Sequence, residues 1–454
     1  MKRIILAFLL VTGLLFSSYG QVFDTDTLIL NGDIKQRINF VFLGDGYLES
    51  ELDKYMEDVD TIVDELFNQS PWNKYKSYFN VIAIKVPSNV SGASLDPDNL
   101  IDNYFGSTFN SYGIERLLVP MRSSRIQAVM SSNFPLYDQI FVIVNSDKYG
   151  GSGGWVATAS TNSASIEVAI HELGHSFGGL ADEYWAGLQY ANEKVNMTQQ
   201  TNPELVKWKD WMGDYGIGIY SHDSPGQSWK RPHQNCKMRY LGRLFCAVCR
   251  EELTSDILSL VNQVESYEPE NTFVELADDQ LFKLNILKPE PNTVKSSWYF
   301  EGILIKENID SLLLLTDTLD QGSYSLRATA IDTTNYIRKS SHFSDELFLV
   351  SWDINKTNTG IDIISKRNKT NFSLYPNPAN EYLNFEILSE NEQKIQLTIL
   401  SINGIMVYQK TINVIPGQMS KHSINVSSAG MTPGLYLVNI QCDGSLITRK
   451  LVLD

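Results

Sequence analysis

Positive charge and long apolar segments are what this sequence most plainly lacks. Its 454 residues carry 37 Lys and Arg against 53 Asp and Glu, which gives a formal net charge of −16. Phosphate backbones are bound by concentrated Lys and Arg, so this deficit argues against a nucleic-acid partner. Beyond the first twenty residues, no run approaches the roughly 20 apolar residues of a membrane span. The acidic surplus indicates a well-solvated surface instead.

A short apolar run lies at the N-terminus. Met-Lys-Arg precedes the run from Ile4 to Phe16, and Ser18 and Gly20 supply small residues shortly after it. A basic start, an apolar stretch and small residues before a cut are the pattern of a secretory signal peptide. We therefore expect residues 1–20 to be removed and the remainder to be exported as a soluble protein.

Cysteine is also scarce, with four residues in the chain. Cys442 lies far downstream, while Cys236, Cys246 and Cys249 fall within one short segment. In an exported chain, this predicts one disulfide from Cys236 to Cys246 or Cys249, with the third thiol unpaired. A structural zinc site is the alternative, because His233, Cys236, Cys246 and Cys249 have zinc-ligand spacing at both ends.

The first part of the chain alternates between two kinds of pattern. Strand-like runs occur at residues 38–43, 78–86 and 139–145. Between the first two, apolar residues recur every three or four positions and predict a helix, with Ser50 and Asp53 resembling its capping box. Alternating strands and helices predict an α/β or α+β layer architecture for residues 21–262.

The pattern changes after residue 262, where strand-length runs and turn signals replace helical periods. A small Ig-like β-sandwich is expected over residues 263–366. After the polar stretch SKRNKTN, Asn403-Gly404 and Asp443-Gly444 each separate two strand-like runs, as two-residue hairpin turns do. A second all-β sandwich is expected over residues 367–454.

The residues suited to chemistry are concentrated in HELGHSFGGLADEY, residues 171–184. A helix is predicted to begin near Ser163, and on it His171 and His175 lie four positions apart and can hold one cation. Zinc is the expected ion, because imidazole suits it and an open position lets it lower the pKa of water to about 7. Glu172 is then placed to take a proton from that water.

A third ligand cannot come from the same straight helix. Asp182 would lie about 16 Å along the axis from His171 at 1.5 Å per residue. The chain must leave the helix and fold back, and Gly178-Gly179 is where it can, since glycine takes positive φ without steric cost. The glycine-rich run at 150–154 is likewise expected to let backbone approach the site.

The motif resembles two peptidase groups. HExxHxxG matches the metzincin zinc peptidases, but Ala181 occupies the position of their third ligand and cannot bind metal. The longer string resembles the IgA-peptidase family of bacterial zinc metallopeptidases, as do RINFVFLGDGY (37–47), VNSDKYGGSGG (144–154) and CKMRYLGRLFCAVC (236–249). This resemblance covers about residues 24–260. It implies a zincin-like catalytic domain with a mixed sheet and an active-site helix.

The family resemblance also implies a ligand set. Its ligand aspartate corresponds to Asp182, which would join His171 and His175 around the zinc. Glu183 is the nearest competitor. A downstream glutamate, Glu193 or Glu204, would be the ligand if the chain followed other zinc peptidases.

Further residues have two possible roles each. By resemblance to metzincins, Met238 is either the methionine of a turn beneath the metal or a buried packing residue. Tyr184 and Trp185 either line the cleft or pack under it. His222 and His233 either stabilise an oxyanion or are ordinary loop histidines.

The C-terminal stretch LYPNPANEYLNFEI (374–387), with later strands ending in RKLVLD, resembles the type IX secretion sorting domain of Bacteroidetes-type bacteria. That resemblance covers about residues 370–454. It implies export through the periplasm to the medium or the cell surface and recognition by the secretion machinery. An ordinary adhesive β module is the alternative.

The function expected from these features is that of a secreted zinc endopeptidase, in which Glu172 assists the attack of zinc-bound water on a peptide bond. Its substrate would be an extracellular protein, and immunoglobulin is suggested by the family's name alone. The rival hypothesis is a surface-binding, adhesin-like protein whose β modules bind and whose zinc is structural. Glu172 separates the two, since a structural site has no use for a base beside the metal.

Overall fold

The structure is a computed structural model and describes residues 21–223, 227–356, 370–389, 393–402, 405–442 and 445–453. The expected signal peptide, most of the SKRNKTN stretch and both predicted hairpin turns (403–404 and 443–444) lie outside the described residues. Among the described residues, no helix has the length and apolar character required to cross a bilayer.

The described residues form two compact units, and the first contains residues 21–29, Asn39–Val63 and Val81–Glu172. Strands and helices alternate as predicted from the N-terminus to the HELGH motif. The strands are β1 (Thr25–Ile29), β2 (Ile38–Asp45), β3 (Phe79–Ile84), β4 (Ser107–Thr108), β5 (Val119–Pro120), β6 (Gln139–Val144), β7 (Gly151–Ser152) and β8 (Ala157–Ser160). The helices are α1 (Leu52–Asn68), α2 (Ser123–Asn133) and α3 (Ser165–Ser176).

A mixed sheet with the order β1-β3-β2-β6-β8-β7 is the centre of this unit. Strands β2, β6 and β8 run parallel, whereas β1 and β7 pair antiparallel with β3 and β8. Every residue of β2 and β6 is buried. Their nearly continuous apolar sequences fit this position, since a strand covered on both faces has no polar side.

The start of α1 differs from the prediction. A 3₁₀ turn over Glu49–Glu51 precedes the helix, and Glu51 Oε2 accepts a hydrogen bond from the Leu48 backbone N–H at 2.8 Å. The reciprocal capping contact thus joins Leu48 and Glu51 instead of Ser50 and Asp53. The acidic residue three positions after the cap was the correct signal, placed two residues too late.

The second unit contains Leu30–Ile38, Asp64–Asn80 and the chain from Leu173 onward. Its first part, after α3, is rich in turns. It contains β9 (Tyr220–Ser221), β10 (Lys230–Arg231) and the helix α4 (Ala247–Leu260). Helix α4 buries Leu253 and Ile257, and Leu253 lies against Gly178 of the preceding segment.

Two sheets follow and share one apolar core. Their strands are β11 (Val264–Glu268), β12 (Phe273–Glu275), β13 (Gln280–Ile286), β14 (Val294–Phe300), β15 (Ile303–Glu307), β16 (Ser311–Leu314), β17 (Gly322–Asp332) and β18 (Phe348–Lys356), with a short helix α5 (His342–Asp345). The sheet orders are β11-β13-β16 and β12-β18-β17-β14-β15. Trp298 and Trp352 stack in the shared core with ring centroids 5.9 Å apart. This is a β-sandwich-like arrangement.

The last strands form a similar pair of sheets. They are β19 (Thr370–Tyr375), β20 (Tyr382–Ser389), β21 (Gln393–Ser401), β22 (Met406–Val414), β23 (Ser420–Asn425), β24 (Gly434–Cys442) and β25 (Ser445–Leu453). The orders are β19-β20-β23 and β22-β21-β24-β25, and alternating residues such as Phe385, Leu397 and Val438 fill one core. Antiparallel pairing of β21 with β22 and of β24 with β25 agrees with the hairpins predicted from sequence.

Buried polar contacts join the first sandwich to residues 74–78 within the second unit. Tyr75 donates its hydroxyl to Asp332 Oδ2 at 2.9 Å, and Lys74 Nζ lies 3.0 Å from Thr334 Oγ1. Tyr78 donates to the Leu287 carbonyl at 3.0 Å. Asp332 has no exposed surface, so these bonds are shielded from water. They attach the sandwich to the segment that follows α1.

Candidate metal centre

Helix α3 carries the two histidines and the glutamate of the motif. It begins after an Asx turn, in which Asn162 Oδ1 accepts the Ala164 N–H at 3.0 Å and the Asn162 carbonyl accepts the Ser165 N–H at 2.7 Å. The start near Ser163 was therefore predicted to within two residues. One turn of this helix brings a ligand atom each of His171, Glu172 and His175 within 4.8 Å of one another.

The chain leaves α3 at the paired glycines. Gly179 has φ of +57°, the left-handed conformation that costs a glycine little. Gly178 is required for a different reason, since a Cβ there would lie 2.6 Å from Leu253 Cδ2 of α4. The Leu180 N–H then bonds back to the Gly174 carbonyl at 3.0 Å. The reversal predicted from sequence is thus present in the structure.

This reversal brings Asp182 to His175. The distance from His175 Nε2 to Asp182 Oδ1 is 3.2 Å, and both side chains are about one fifth exposed. His175 Nδ1 lies 2.7 Å from the Leu180 carbonyl. Because a carbonyl can only accept, Nδ1 carries the proton and Nε2 keeps its lone pair for a cation. The same turn therefore orients the imidazole and delivers the carboxylate.

Asn196 holds the turn that carries Asp182, and sequence reasoning missed it. Its side chain is fully buried, accepts the Ala181 N–H at 2.8 Å and donates to the Ala181 carbonyl at 2.7 Å. An amide that pairs with both backbone groups of one residue fixes that residue much as a neighbouring strand would. No sequence motif marked Asn196, since a lone Asn in a loop has many possible roles.

Met238 packs beneath α3, between the two histidine positions. It is fully buried, and a Cβ on Gly174 would lie 2.6 Å from its sulfur. The Met238 carbonyl also accepts the Glu183 N–H at 2.7 Å. The structure shows the packing role, whereas the role beneath a bound metal stays a prediction.

The glycine-rich run lies against α3 on the side of Glu172. A Cβ on Gly151 would lie 2.5 Å from Val168 Cγ1 and 3.6 Å from Glu172 Cγ. A Cβ on Gly150 would lie 2.5 Å from the Arg116 carbonyl oxygen. Gly151 thus lets strand β7 approach the motif helix closely, and Gly150 lets the chain pass the Arg116 backbone.

The cysteines form neither predicted arrangement. Cys236, Cys246 and Cys249 are free and buried, so the expected disulfide is absent from the structure. His233, the expected companion in a zinc site, instead accepts the Asn235 N–H at Nδ1 (3.0 Å). The residue that joins the three thiols is Glu183, with ligand atoms of all four within 4.8 Å of one another.

The Glu183 carboxylate therefore lies with the three thiols and not with the motif histidines. It has no exposed surface, and Cys249 Sγ lies 3.2 Å from its Oε1. Burial raises the pKa of this carboxyl well above its ordinary value. The two adjacent acids that sequence could not separate thus have different surroundings, with Asp182 beside His175 and Glu183 among sulfurs.

Other candidates lie elsewhere. Glu193 pairs with Lys207 at 2.6 Å, and Glu204 is exposed.

Trp185 packs edge-on against the buried His222, with ring centroids 6.1 Å apart. Burial, together with Arg231, lowers the pKa of His222 to about 4. This histidine is thus neutral near pH 7.

In the stretch RINFVFLGDGY, the acidic residue Asp45 anchors a distant loop. Asp45 at the end of β2 is fully buried and accepts N–H bonds from Phe105 and Ser107, each at 2.9 Å. A Cβ on Gly46 would lie 2.1 Å from the Gly92 carbonyl oxygen. Sequence alone did not assign this role, because the donors are some sixty residues away.

Comparison with known proteins gives two family matches. Residues 27–218 match the family described as IgA Peptidase M64. Residues 373–454 match the Secretion system C-terminal sorting domain. The chain matches none of the curated proteins.

Similar solved structures are distant. Dimeric latent PorU from Porphyromonas gingivalis is 14% identical over 42% of this chain and 20% of its own, with a TM-score of 0.19. The fibronectin(III)-like modules of CbhA from Clostridium thermocellum are 12% identical over 40% of this chain and 87% of theirs, with a TM-score of 0.14. Scores this low support no argument about shared architecture.

The family matches fit the order of the elements. Strands β2–β8 and the HELGH helix fall within the peptidase match, and β20–β25 fall within the sorting match. A sorting domain of this kind indicates export to the cell surface or the medium. The chain thus contains a segment similar to the IgA Peptidase M64 family, residues 27–218, and a segment similar to the Secretion system C-terminal sorting domain, residues 373–454.

Proposed function

We propose that this protein is an exported zinc-dependent endopeptidase that cleaves peptide bonds in extracellular proteins. The observation that supports it most directly is the fold-back after α3, which places Asp182 Oδ1 3.2 Å from His175 Nε2. Together with His171 on the same helix, this offers two imidazole nitrogens and one carboxylate oxygen. The match of residues 27–218 to a peptidase family supports the same conclusion.

The donor set fits zinc. Three protein ligands of the types nitrogen, nitrogen and oxygen are the usual set of a catalytic zinc, with a fourth position left for water or substrate. His175 is held for this purpose by the bond from its Nδ1 to the Leu180 carbonyl. When bound, zinc would polarise the substrate carbonyl and lower the pKa of water.

Glu172 has the position of the general base. It lies next to His171 on α3 and is 8% exposed, and its Cγ lies close to strand β7. A carboxylate there would take a proton from the attacking water and return it to the departing amine, which is worth roughly 10² to 10⁴ in rate. In this proposal Glu172 is the general base, and His171, His175 and Asp182 are the zinc ligands.

The rival hypothesis of an adhesin-like protein is less well supported. Two sandwich-like pairs of sheets do follow the motif segment, as binding modules would. The peptidase family match, however, covers the segment that carries the motif. A purely structural ion would also leave the placement of Glu172 without a role.

Chelation provides the direct test. The purified full chain is incubated with a denatured protein and, separately, with immunoglobulin A, which the family's name suggests. We expect fragments to appear, to be prevented by a chelator, and to return when zinc is added back. Cleavage that persists in the chelator-treated, metal-free protein would contradict the proposal.

A further inference from the structure

Four buried side chains converge at a point that the peptidase reaction does not use. Cys236, Cys246 and Cys249 supply thiols, and Glu183 supplies a carboxylate. Cys236 Sγ lies 3.7 Å from Cys249 Sγ, and Glu183 Oε1 lies 3.2 Å from Cys249 Sγ and 3.8 Å from Cys246 Sγ. We call these four residues the thiol cluster.

The spacing is that of a tetrahedral coordination shell. With a Zn–S bond of about 2.3 Å, the edge between two sulfurs of a regular tetrahedron is about 3.8 Å. The Cys236–Cys249 separation of 3.7 Å matches that edge. Oxygen binds zinc at about 2.0 to 2.2 Å, so an oxygen–sulfur edge is somewhat shorter, about 3.5 Å. The two separations from Glu183 Oε1 lie on either side of this value.

The carboxylate of Glu183 points to the same conclusion independently. Among the described residues it forms no ion pair, and its Oε2 is buried without a hydrogen-bond partner. Asn196 Nδ2 donates to Oε1 only at 3.4 Å. A buried charge costs several kcal/mol unless an opposite charge compensates it. A cation among the sulfurs would compensate both the carboxylate and the thiolates.

The backbone around the thiol cluster holds the three cysteines in position. Cys246 is the N-cap of α4, and Cys249 lies in the first turn of the same helix. The Cys246 N–H donates to Cys236 Sγ at 3.3 Å, and the Cys236 carbonyl accepts the Arg239 N–H at 2.9 Å. The turn that carries Cys236 therefore faces the C-x-x-C pair, Cys246 and Cys249, at the start of α4.

We propose that Glu183, Cys236, Cys246 and Cys249 bind a second Zn²⁺ with all four coordination positions filled by protein. Such a site is structural, because no position remains for water or substrate. It uses none of the residues of the proposed peptidase mechanism. Binding requires the thiols to lose their protons, which leave to solvent as the ion enters.

This ion would also support the catalytic centre. Glu183 follows Asp182 directly, and its N–H is bonded to the Met238 carbonyl at 2.7 Å. An ion that holds the Glu183 side chain fixes the backbone one residue from Asp182. In an exported protein it would also keep three neighbouring thiols from oxidising.

Metal analysis of the full chain tests the proposal. We expect two zinc ions per wild-type chain, and one in Cys249→Ser and in His175→Ala. Cys442→Ser is the matched control, since that cysteine lies in β24 outside the cluster, and it should retain two. One zinc in the wild type that is lost in His175→Ala but kept in Cys249→Ser would overturn the second site.

Cobalt substitution covers the case in which a cysteine variant fails to fold. The His175→Ala protein keeps the thiol cluster, so its cobalt form should show thiolate-to-cobalt charge-transfer absorption in the near ultraviolet. Its three cluster thiols should resist alkylation until a chelator is added. A cobalt form without that absorption, or thiols that react equally with and without chelator, would refute the site even if peptidase activity is confirmed.

Discussion

His175 Nε2 and Asp182 Oδ1 lie 3.2 Å apart although six residues and a chain reversal separate them along the sequence. Two ligands bound to one tetrahedral ion at about 2.0 Å each would be about 3.3 Å apart. The pair is therefore already at the separation that a shared cation requires. The turn at Gly179, the buried Asn196 and the bond from His175 Nδ1 to the Leu180 carbonyl all act to preserve it.

Replacing Asp182 should weaken the motif metal site. We expect Asp182→Ala to lower zinc affinity at the histidines roughly 10- to 1,000-fold, since one of three ligands is lost. Competition with a chromophoric chelator measures this affinity. Glu193→Gln is the control, because Glu193 pairs with Lys207 at 2.6 Å. An affinity unchanged in Asp182→Ala but reduced in Glu193→Gln would restore the downstream glutamate as the ligand.

Replacing Glu172 should separate catalysis from metal binding. We expect Glu172→Gln to lower kcat/KM for a peptide substrate by roughly 10² to 10⁴ while the metal content remains that of the wild type. The amide keeps the shape of the side chain and removes its capacity to accept the proton. Glu204→Gln changes an exposed glutamate and should leave both quantities unchanged. Full activity in Glu172→Gln would eliminate it as the base.

Gly174 and Met238 should show energetic coupling. Gly174→Ala places a methyl group 2.6 Å from the Met238 sulfur and 3.1 Å from a Phe245 ring carbon. We expect the single variant to lose about 1 to 3 kcal/mol through overpacking. Met238→Ala alone should cost about 2 to 5 kcal/mol. The double variant should lose less free energy of unfolding than the two single variants lose together, and urea unfolding measures all three losses. Strict additivity would show that the methionine is not packed on this glycine.

Acid should destabilise the fold through His222. Burial and Arg231 hold its pKa at about 4, below the ordinary 6.5, so protonation favours the unfolded chain. The stability is complete above pH 6.5 and falls toward pH 4 by on the order of 3 kcal/mol from this residue. Asp223, Arg231 and Arg239 are the charged groups that act on it.

The matched variant is His222→Gln, which cannot gain the proton. Its melting temperature should fall less between pH 7 and pH 4.5 than that of the wild type, although loss of metal at acid pH affects both proteins equally. Identical falls in the two proteins would show that the His222 ring is not held in its neutral form.

Sequence predicted the elements better than the contacts between them. The strand predictions at 38–43 and 139–145 agree with β2 and β6, and the helix carrying HELGH was located, because apolar periodicity and glycine placement are local signals. Asp182 was favoured over Glu183 by family resemblance, since two acids in one turn have equal local claims. The destination of Glu183 depends on cysteines more than fifty residues away, and local patterns contain no information about such pairs.

The bond from Tyr75 to Asp332 has a practical consequence for preparing a shortened form of the protein. Residue 262 is the natural place to divide the chain by sequence pattern, yet a fragment ending there would lose the partners of Lys74, Tyr75 and Tyr78. It would also lose the backbone N–H of Arg338, which bonds to Glu251 of α4 at 2.5 Å. A shortened protein that ends after β18 retains all of these contacts. The first sandwich thus supplies bonding partners that a chain ending at residue 262 would lack.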